Sequence, residues 1–142
     1  MIKKIYIAGP LFNKHEQMYL EDIAKELEGK GYDCFLPHRD QPADIDESEM
    51  KNTAMLSQES KDKIFKIDLD ALDAADLTVA LLSGQDIDSG TSAEIGYTYA
   101  QGKPVIGIDA FERRYRNLFV EGMITKKVNK VSELLNSIKD LD

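Results

Sequence analysis

A chain of 142 residues can bury one substantial core but is too short for two ordinary domains, so residues 1–142 are expected to fold as one. At 42% hydrophobic and 31% charged residues the composition is globular, and the net charge of -8 argues against non-specific binding to nucleic acid or an anionic membrane. No apolar run reaches the length of a membrane span, and Met1-Ile-Lys-Lys-Ile-Tyr-Ile enters a strand without a signal-peptide pattern. With a single cysteine, Cys34, no internal disulfide can form, and a reduced, cytoplasmic setting is the expectation.

In chain order, Ile2 to Ala8 predicts a first strand, ended by Gly9-Pro10. Leu20, Ile23, Ala24 and Leu27 recur at helical spacing, and Gly29 to Gly31 close that helix. Tyr32 to Leu36 reads as a short strand stopped by Pro37. From about His38 to Ser57 the chain is polar, acidic and aperiodic, with a short helix expected near Glu47 to Leu56; a loop this long is usually functional or mobile. Ser60 to Ala75 predicts a helix with Ile64, Ile67, Leu72 and Ala75 facing inward. Leu77 to Leu82 predicts a buried strand, Ser92 to Gln101 a helix, and Pro104 to Ile108 another strand. A weak strand near Lys127 to Val131 and a helix from Ser132 to about Leu141 complete the chain. Strands alternating with helices imply a doubly wound, mostly parallel five-stranded sheet with helices on both faces, of the flavodoxin or Rossmann kind.

The most informative stretch is Asp88-Ser-Gly-Thr-Ser-Ala-Glu94-Ile-Gly-Tyr97, which sits between two apolar runs. Strand-to-helix loops of this kind lie at the carboxyl edge of an open sheet, where ligands bind. Carboxylates there suit hydroxyls, proton transfer and attack on carbon better than phosphate, which points to an uncharged sugar or base. Glu94 has small neighbours that leave room for a ligand, against the alternative of a solvated glutamate favouring the helix dipole. Asp88 is either a ligand for the site or a turn residue capping the next helix. Ser89 to Ser92 lack the Lys-Ser/Thr ending of a phosphate-binding Walker loop.

Of the acids from Asp68 to Asp76, Asp70 and Asp73 read as solvated and Asp76 as a helix end. Asp68 lies between Ile67 and Leu69, placed to point into the cleft. Tyr6 is either a core aromatic or a hydroxyl aimed at a carboxylate at the strand end, and Phe12 either packs or stacks on a planar base. Gln41 has an amide able to read a base edge, being both donor and acceptor. His15 and His38 lack metal-ligand spacing, so no metal site is expected. Cys34 reads as core rather than nucleophile.

Together, Ile5-Tyr-Ile-Ala-Gly-Pro-Leu-Phe12, Phe35-Leu-Pro-His-Arg-Asp-Gln41, Asp68, Asp88 to Tyr97 and Asn117-Leu-Phe-Val-Glu-Gly122 resemble the nucleoside 2-deoxyribosyltransferase family. The resemblance implies the same doubly wound fold. It implies transfer of 2-deoxyribose between nucleobases by a retaining double displacement through a covalent deoxyribosyl-glutamate. In that scheme Glu94 is the nucleophile, Asp68 the acid that assists the leaving base, and Tyr6 the residue that orients Glu94. Asp88 holds the sugar 5′-hydroxyl, Gln41 binds the base, and Gly9 and Phe12 line the substrate. Asn117 reaches into a neighbouring subunit's site, which implies a homo-oligomer. The partners implied are 2′-deoxynucleosides and free nucleobases, with no cofactor. Two departures stand out: Phe119 occupies a place where Met is common, and Pro42 to Ser57 match nothing in the family pattern. One rival reading is a hydrolase of 2′-deoxynucleoside 5′-monophosphates, for which Asp88 is a poor neighbour because it repels a phosphate dianion. Another is a non-catalytic nucleoside-binding module, which a fold alone does not exclude.

Overall fold

The computed structural model describes residues 1–41, 53–84, 86–109 and 116–142. Five strands, β1 (Lys4–Ala8), β2 (Asp33–Phe35), β3 (Leu77–Leu81), β4 (Val105–Ile108) and β5 (Lys126–Val128), form one sheet in the order β2-β1-β3-β4-β5. Every pairing is parallel. The predicted "mostly parallel" sheet is therefore wholly so. The strand bounds fall within one to three residues of those predicted, β5 starting one residue earlier and ending three earlier. At the start of β1, Asp76 Oδ2 accepts the N–H groups of Lys3 and Lys4 at 2.9 and 3.0 Å.

Alternation along the strands builds two apolar layers. Ile5 and Ile7 of β1, with Leu77, Val79 and Leu81 of β3, face α1 (Lys14–Glu28) and the last helix, α5 (Leu134–Leu141). Tyr6 and Ala8, with Ala80 and Leu82, face α2 (Gln58–Ala74) and α3 (Ser89–Ala100). β3 at the centre is buried along its whole length, the mark of a strand covered on both faces.

Helix α1 buries the four predicted residues, Leu20, Ile23, Ala24 and Leu27. Asn13 starts it by accepting the Glu16 N–H and donating to the Glu16 carboxylate, both at 2.9 Å, a reciprocal cap. In α2 the expectation is only half met: Leu72 and the following Ala75 are buried, whereas Ile64 and Ile67 are half-buried. The reason is length. Seventeen helical residues span about 25 Å, and a five-residue strand about 16 Å, so the first turns of α2 run past the carboxyl edge of the sheet. A short helix α4 (Leu118–Gly122) was not anticipated from the sequence. The helix expected near Glu47 to Leu56 lies mostly outside the described residues; within them, Thr53–Met55 form one 3-10 turn.

The strand order reverses direction between β1 and β3, and in such sheets the crevice beyond the carboxyl ends at that point is where ligands bind. Helix α2 and the first turns of α3 wall that crevice.

Candidate active site

Four segments deliver side chains to the crevice. β1 supplies Tyr6, fully buried and stacked on Phe35 with ring centroids 5.5 Å apart. The middle of α2 supplies Asp68, α3 supplies Glu94, and the turn after β2 supplies Gln41. That turn is braced by Arg39, which donates to Glu28, Asp40 and the Cys34 carbonyl, while Asp40 accepts the Leu36 N–H at 2.8 Å. Gln41 then donates from Nε2 to Asp68 Oδ1 at 2.9 Å.

Helix α3 starts at Ser89, three residues before the predicted Ser92, because Asp88 caps it. Asp88 Oδ2 accepts the Thr91 N–H at 3.2 Å and the Thr91 hydroxyl at 3.3 Å. The capping role foreseen for Asp88 is thus real, and its carboxylate still lies at the crevice. Glu94 consequently falls in the second turn, facing inward, and is no solvated first-turn glutamate. A chain of hydroxyls fixes the helix there: Thr78 on β3 meets Thr98 at 2.8 Å, and Thr98 donates to the Glu94 carbonyl at 2.8 Å. Gly90 keeps the approach open. A methyl group built on it would lie 3.3 Å from Asp88 Oδ2 and 3.8 Å from Glu94 Oε1.

The electrostatics of the cluster follow from burial. Desolvation pushes the Glu94 carboxyl up to about 8, against a lowering contribution from the Tyr6 hydroxyl and with further raising by Asp68 and Asp88. Desolvation lifts Asp68 to about 6, partly offset by the bond from Gln41. Burial, then Glu94 and Asp68, push the Tyr6 phenol far above its ordinary value, so it stays protonated. Three buried polar atoms, Tyr6 Oη, Glu94 Oε2 and Gln41 Oε1, have no hydrogen-bond partner. The phenol is thus close enough to bias the carboxylate without a well-formed bond to it. Each such orphan costs about 1–3 kcal/mol, and three in one cluster mark a site shaped for a polar ligand rather than for stability.

The remaining predicted residues are placed as follows. Phe12 is 78% exposed at the rim. Gly9 has a packing reason of its own, since a methyl there would come within 2.7 Å of Leu20 Cδ2 and 3.1 Å of Leu81 Cβ. Asn117 caps α4, its Oδ1 accepting the N–H groups of Phe119 and Val120, next to the exposed Leu118 and Phe119. Cys34 is buried and its thiol is pushed up to about 12, chiefly by burial, consistent with a core residue. Asp70 and Asp73 are exposed, and Asp76 follows the end of α2, all as expected.

Among the described residues no group of three or more His, Cys, Asp or Glu is arranged to hold a metal ion, and no helix is long and apolar enough to cross a membrane. A cavity of about 460 Å³ lies elsewhere, between β2 and the end of α2, lined by Lys4, Cys34, Phe35, Arg39 and Ala75 among others. Its arginine is already engaged by Glu28 and Asp40, and none of the clustered acids reaches it. Sequence reasoning missed Arg116, which is 6% exposed and donates to the Leu82 and Gly84 carbonyls. The only cue was its position next to Asn117.

A doubly wound parallel sheet with two half-buried carboxyls and a buried tyrosine gathered at its switch point belongs to the α/β proteins that take ligands at that place. The family model "Nucleoside 2-deoxyribosyltransferase" matches residues 5–135. The chain belongs to that family, and membership implies nucleosides and nucleobases as substrates. A conserved protein from Enterococcus faecalis V583 is 29% identical, with a TM-score of 0.80 and all of both chains covered. A 2-deoxyribosyltransferase from the psychrotolerant bacterium Bacillus psychrosaccharolyticus shares the fold at 24% identity and a TM-score of 0.76, over 92% of this chain and 89% of its own. No curated protein matches the sequence.

Proposed function

We propose that the protein transfers 2-deoxyribose from a 2′-deoxynucleoside to a second nucleobase, with Glu94 as nucleophile. The observation that carries this reading is the Glu94 carboxylate, which has a buried, unpartnered oxygen and is perturbed by both Tyr6 and Asp68. Glu94 attacks C1′ as the C1′–N bond breaks, and the electron pair leaves on the base nitrogen, which takes a proton from Asp68. The acceptor base then attacks C1′, expelling Glu94 and returning its N–H proton to Asp68. Two inversions give net retention.

The pair must hold one proton between them; the deeper burial of Glu94 keeps it mainly there, and the productive, less populated arrangement puts it on Asp68. The Tyr6 hydroxyl favours that arrangement by stabilising ionised Glu94. Asp88, on the sugar side, meets the 5′-hydroxyl, and Gln41 meets the base. The exposed Leu118 and Phe119 beside Asn117 suit a contact with a second subunit, the homo-oligomer in which Asn117 completes a neighbour's site; light scattering on the purified protein tests this.

Deoxyinosine offered with and without adenine tests the reaction itself. Transfer yields deoxyadenosine only when adenine is present. Free deoxyribose at the same rate with or without adenine would instead identify a hydrolase. Binding without turnover would identify a nucleoside receptor.

A further inference from the structure

The connection from β3 to α3 carries Asp88, and the described parts of it are gripped from one place. Leu82 N–H is held by the Ile108 carbonyl at 2.8 Å. Its carbonyl accepts from Arg116 Nη2 at 2.9 Å, and the Gly84 carbonyl accepts from Arg116 Nη1 at 2.7 Å. Gly84 has a φ of +96°, a turn geometry that a side chain resists. The next residue in the chain, Asn117, donates its N–H to Asp86 Oδ1 at 3.4 Å, and the same oxygen accepts the Ile87 N–H at 2.8 Å. Two adjacent residues therefore hold the connection at Leu82, Gly84 and Asp86, and it then runs directly into Asp88.

The choice of arginine is informative. Burying a guanidinium is costly, and this one stands 3.7 Å from the Asp109 carboxylate. What the side chain provides is a rigid planar fork that spans two carbonyls two residues apart, which a lysine ammonium cannot reproduce. Two of its bonds go to backbone that sets loop shape.

We propose that Arg116 is a positioning residue for the sugar end of the site, clamping the β3–α3 connection so that the Asp88 carboxylate meets the 5′-hydroxyl of the deoxyribose. This rests on the deoxyribosyl-transfer reading. Arg116 acts through Asp88 and not on the reacting atoms, so its loss is felt only by substrates that carry the 5′-hydroxyl.

The test compares deoxyinosine with 2′,5′-dideoxyinosine, adenine being the acceptor, for the wild type, Asp88→Asn, Arg116→Met, Arg116→Lys and the Asp88→Asn/Arg116→Met double variant. The wild type is expected to favour the 5′-hydroxyl in kcat/KM by about tenfold or more, Arg116→Met to lose most of that preference, and Arg116→Lys to keep part of it. The rate on the 5′-deoxy substrate stays within about threefold of wild type, and the double variant is no worse than Asp88→Asn alone. A wild type and Asp88→Asn that both ignore the 5′-hydroxyl overturn the assignment of Asp88, and this inference with it. If Asp88→Asn loses the preference but Arg116→Met keeps it, only the inference fails. It also fails if both Arg116 variants do not fold, for then Arg116 is an element of stability alone.

Discussion

Gln41 gives one amide hydrogen to Asp68, Nε2 to Oδ1 at 2.9 Å, and its own carbonyl oxygen is buried without a partner. The bond decides which way the amide faces, because an ionised carboxylate accepts only from the NH₂ end. It also lowers the Asp68 pKa against the dominant effect of burial. Base recognition and proton delivery therefore share one contact. Replacing Gln41 with Leu removes both, and kcat/KM is expected to fall by about 10–100-fold. With the lowering bond gone, the limb of the rate profile that Asp68 sets, the one near 6, moves to higher pH. A rate profile that keeps that limb in place would separate Gln41 from Asp68.

The pH dependence of transfer follows from the same pair. Burial places the two carboxyls at about 6 and about 8, and as neighbours they titrate together. Below this window both are protonated and Glu94 is no nucleophile. Above it both are ionised and Asp68 has no proton to give. A bell-shaped kcat/KM with limbs near those values is expected, measured on a substrate whose base does not titrate in the range.

Stability carries the opposite signature to that of an ordinary salt-bridged acid. Both folded-state pKa values lie above their ordinary 3.8 and 4.5, so the native protein binds more protons than the unfolded chain. The stabilising contribution is complete below the ordinary values and is lost as pH rises through about 6 and about 8. Each unit of upward shift is worth about 1.4 kcal/mol. Glu94→Gln is therefore expected to raise Tm by several degrees at pH 9 and by little at pH 4, while abolishing transfer. Thermal melts at the two pH values check this, and an equal effect at both would contradict it.

Gly90 separates activity from stability. An alanine methyl would stand 3.3 Å from Asp88 Oδ2 and 3.8 Å from Glu94 Oε1, in the space above the nucleophile. Alanine in a helix is also favoured over glycine by about 0.5–1 kcal/mol. Gly90→Ala is expected to keep or raise Tm while reducing kcat/KM by tenfold or more, roughly, through lost access to the carboxylate. A fully active variant would mean that the sugar approaches from another side.

The sequence disclosed the fold through burial patterns that admit one reading: β3 is apolar throughout, and α1 places Leu20, Ile23, Ala24 and Leu27 on one stripe. It misjudged α2, since periodicity shows which face is apolar but not how far a helix outruns the sheet beneath it. Helix α4 is too short, at five residues, for any period to register. At the site, Glu94, Asp68, Tyr6 and Gln41 stood out in the sequence as residue types on separate segments, and the structure brings them together. Arg116 was not legible. It closes the run Glu112-Arg-Arg-Tyr-Arg116, which reads as solvated charge, and its bonds to the Leu82 and Gly84 carbonyls join residues more than thirty positions apart.

The account turns on a covalent bond from Glu94 to the anomeric carbon. Incubating the protein with a slow 2′-fluoro-2′-deoxynucleoside, digesting it and sequencing the peptides by mass spectrometry tests that bond directly. The predicted result is one fluorodeoxyribosyl increment on the peptide holding Glu94, discharged when a free base is added. An increment on any other residue, or base release with no labelled peptide at all, would contradict it.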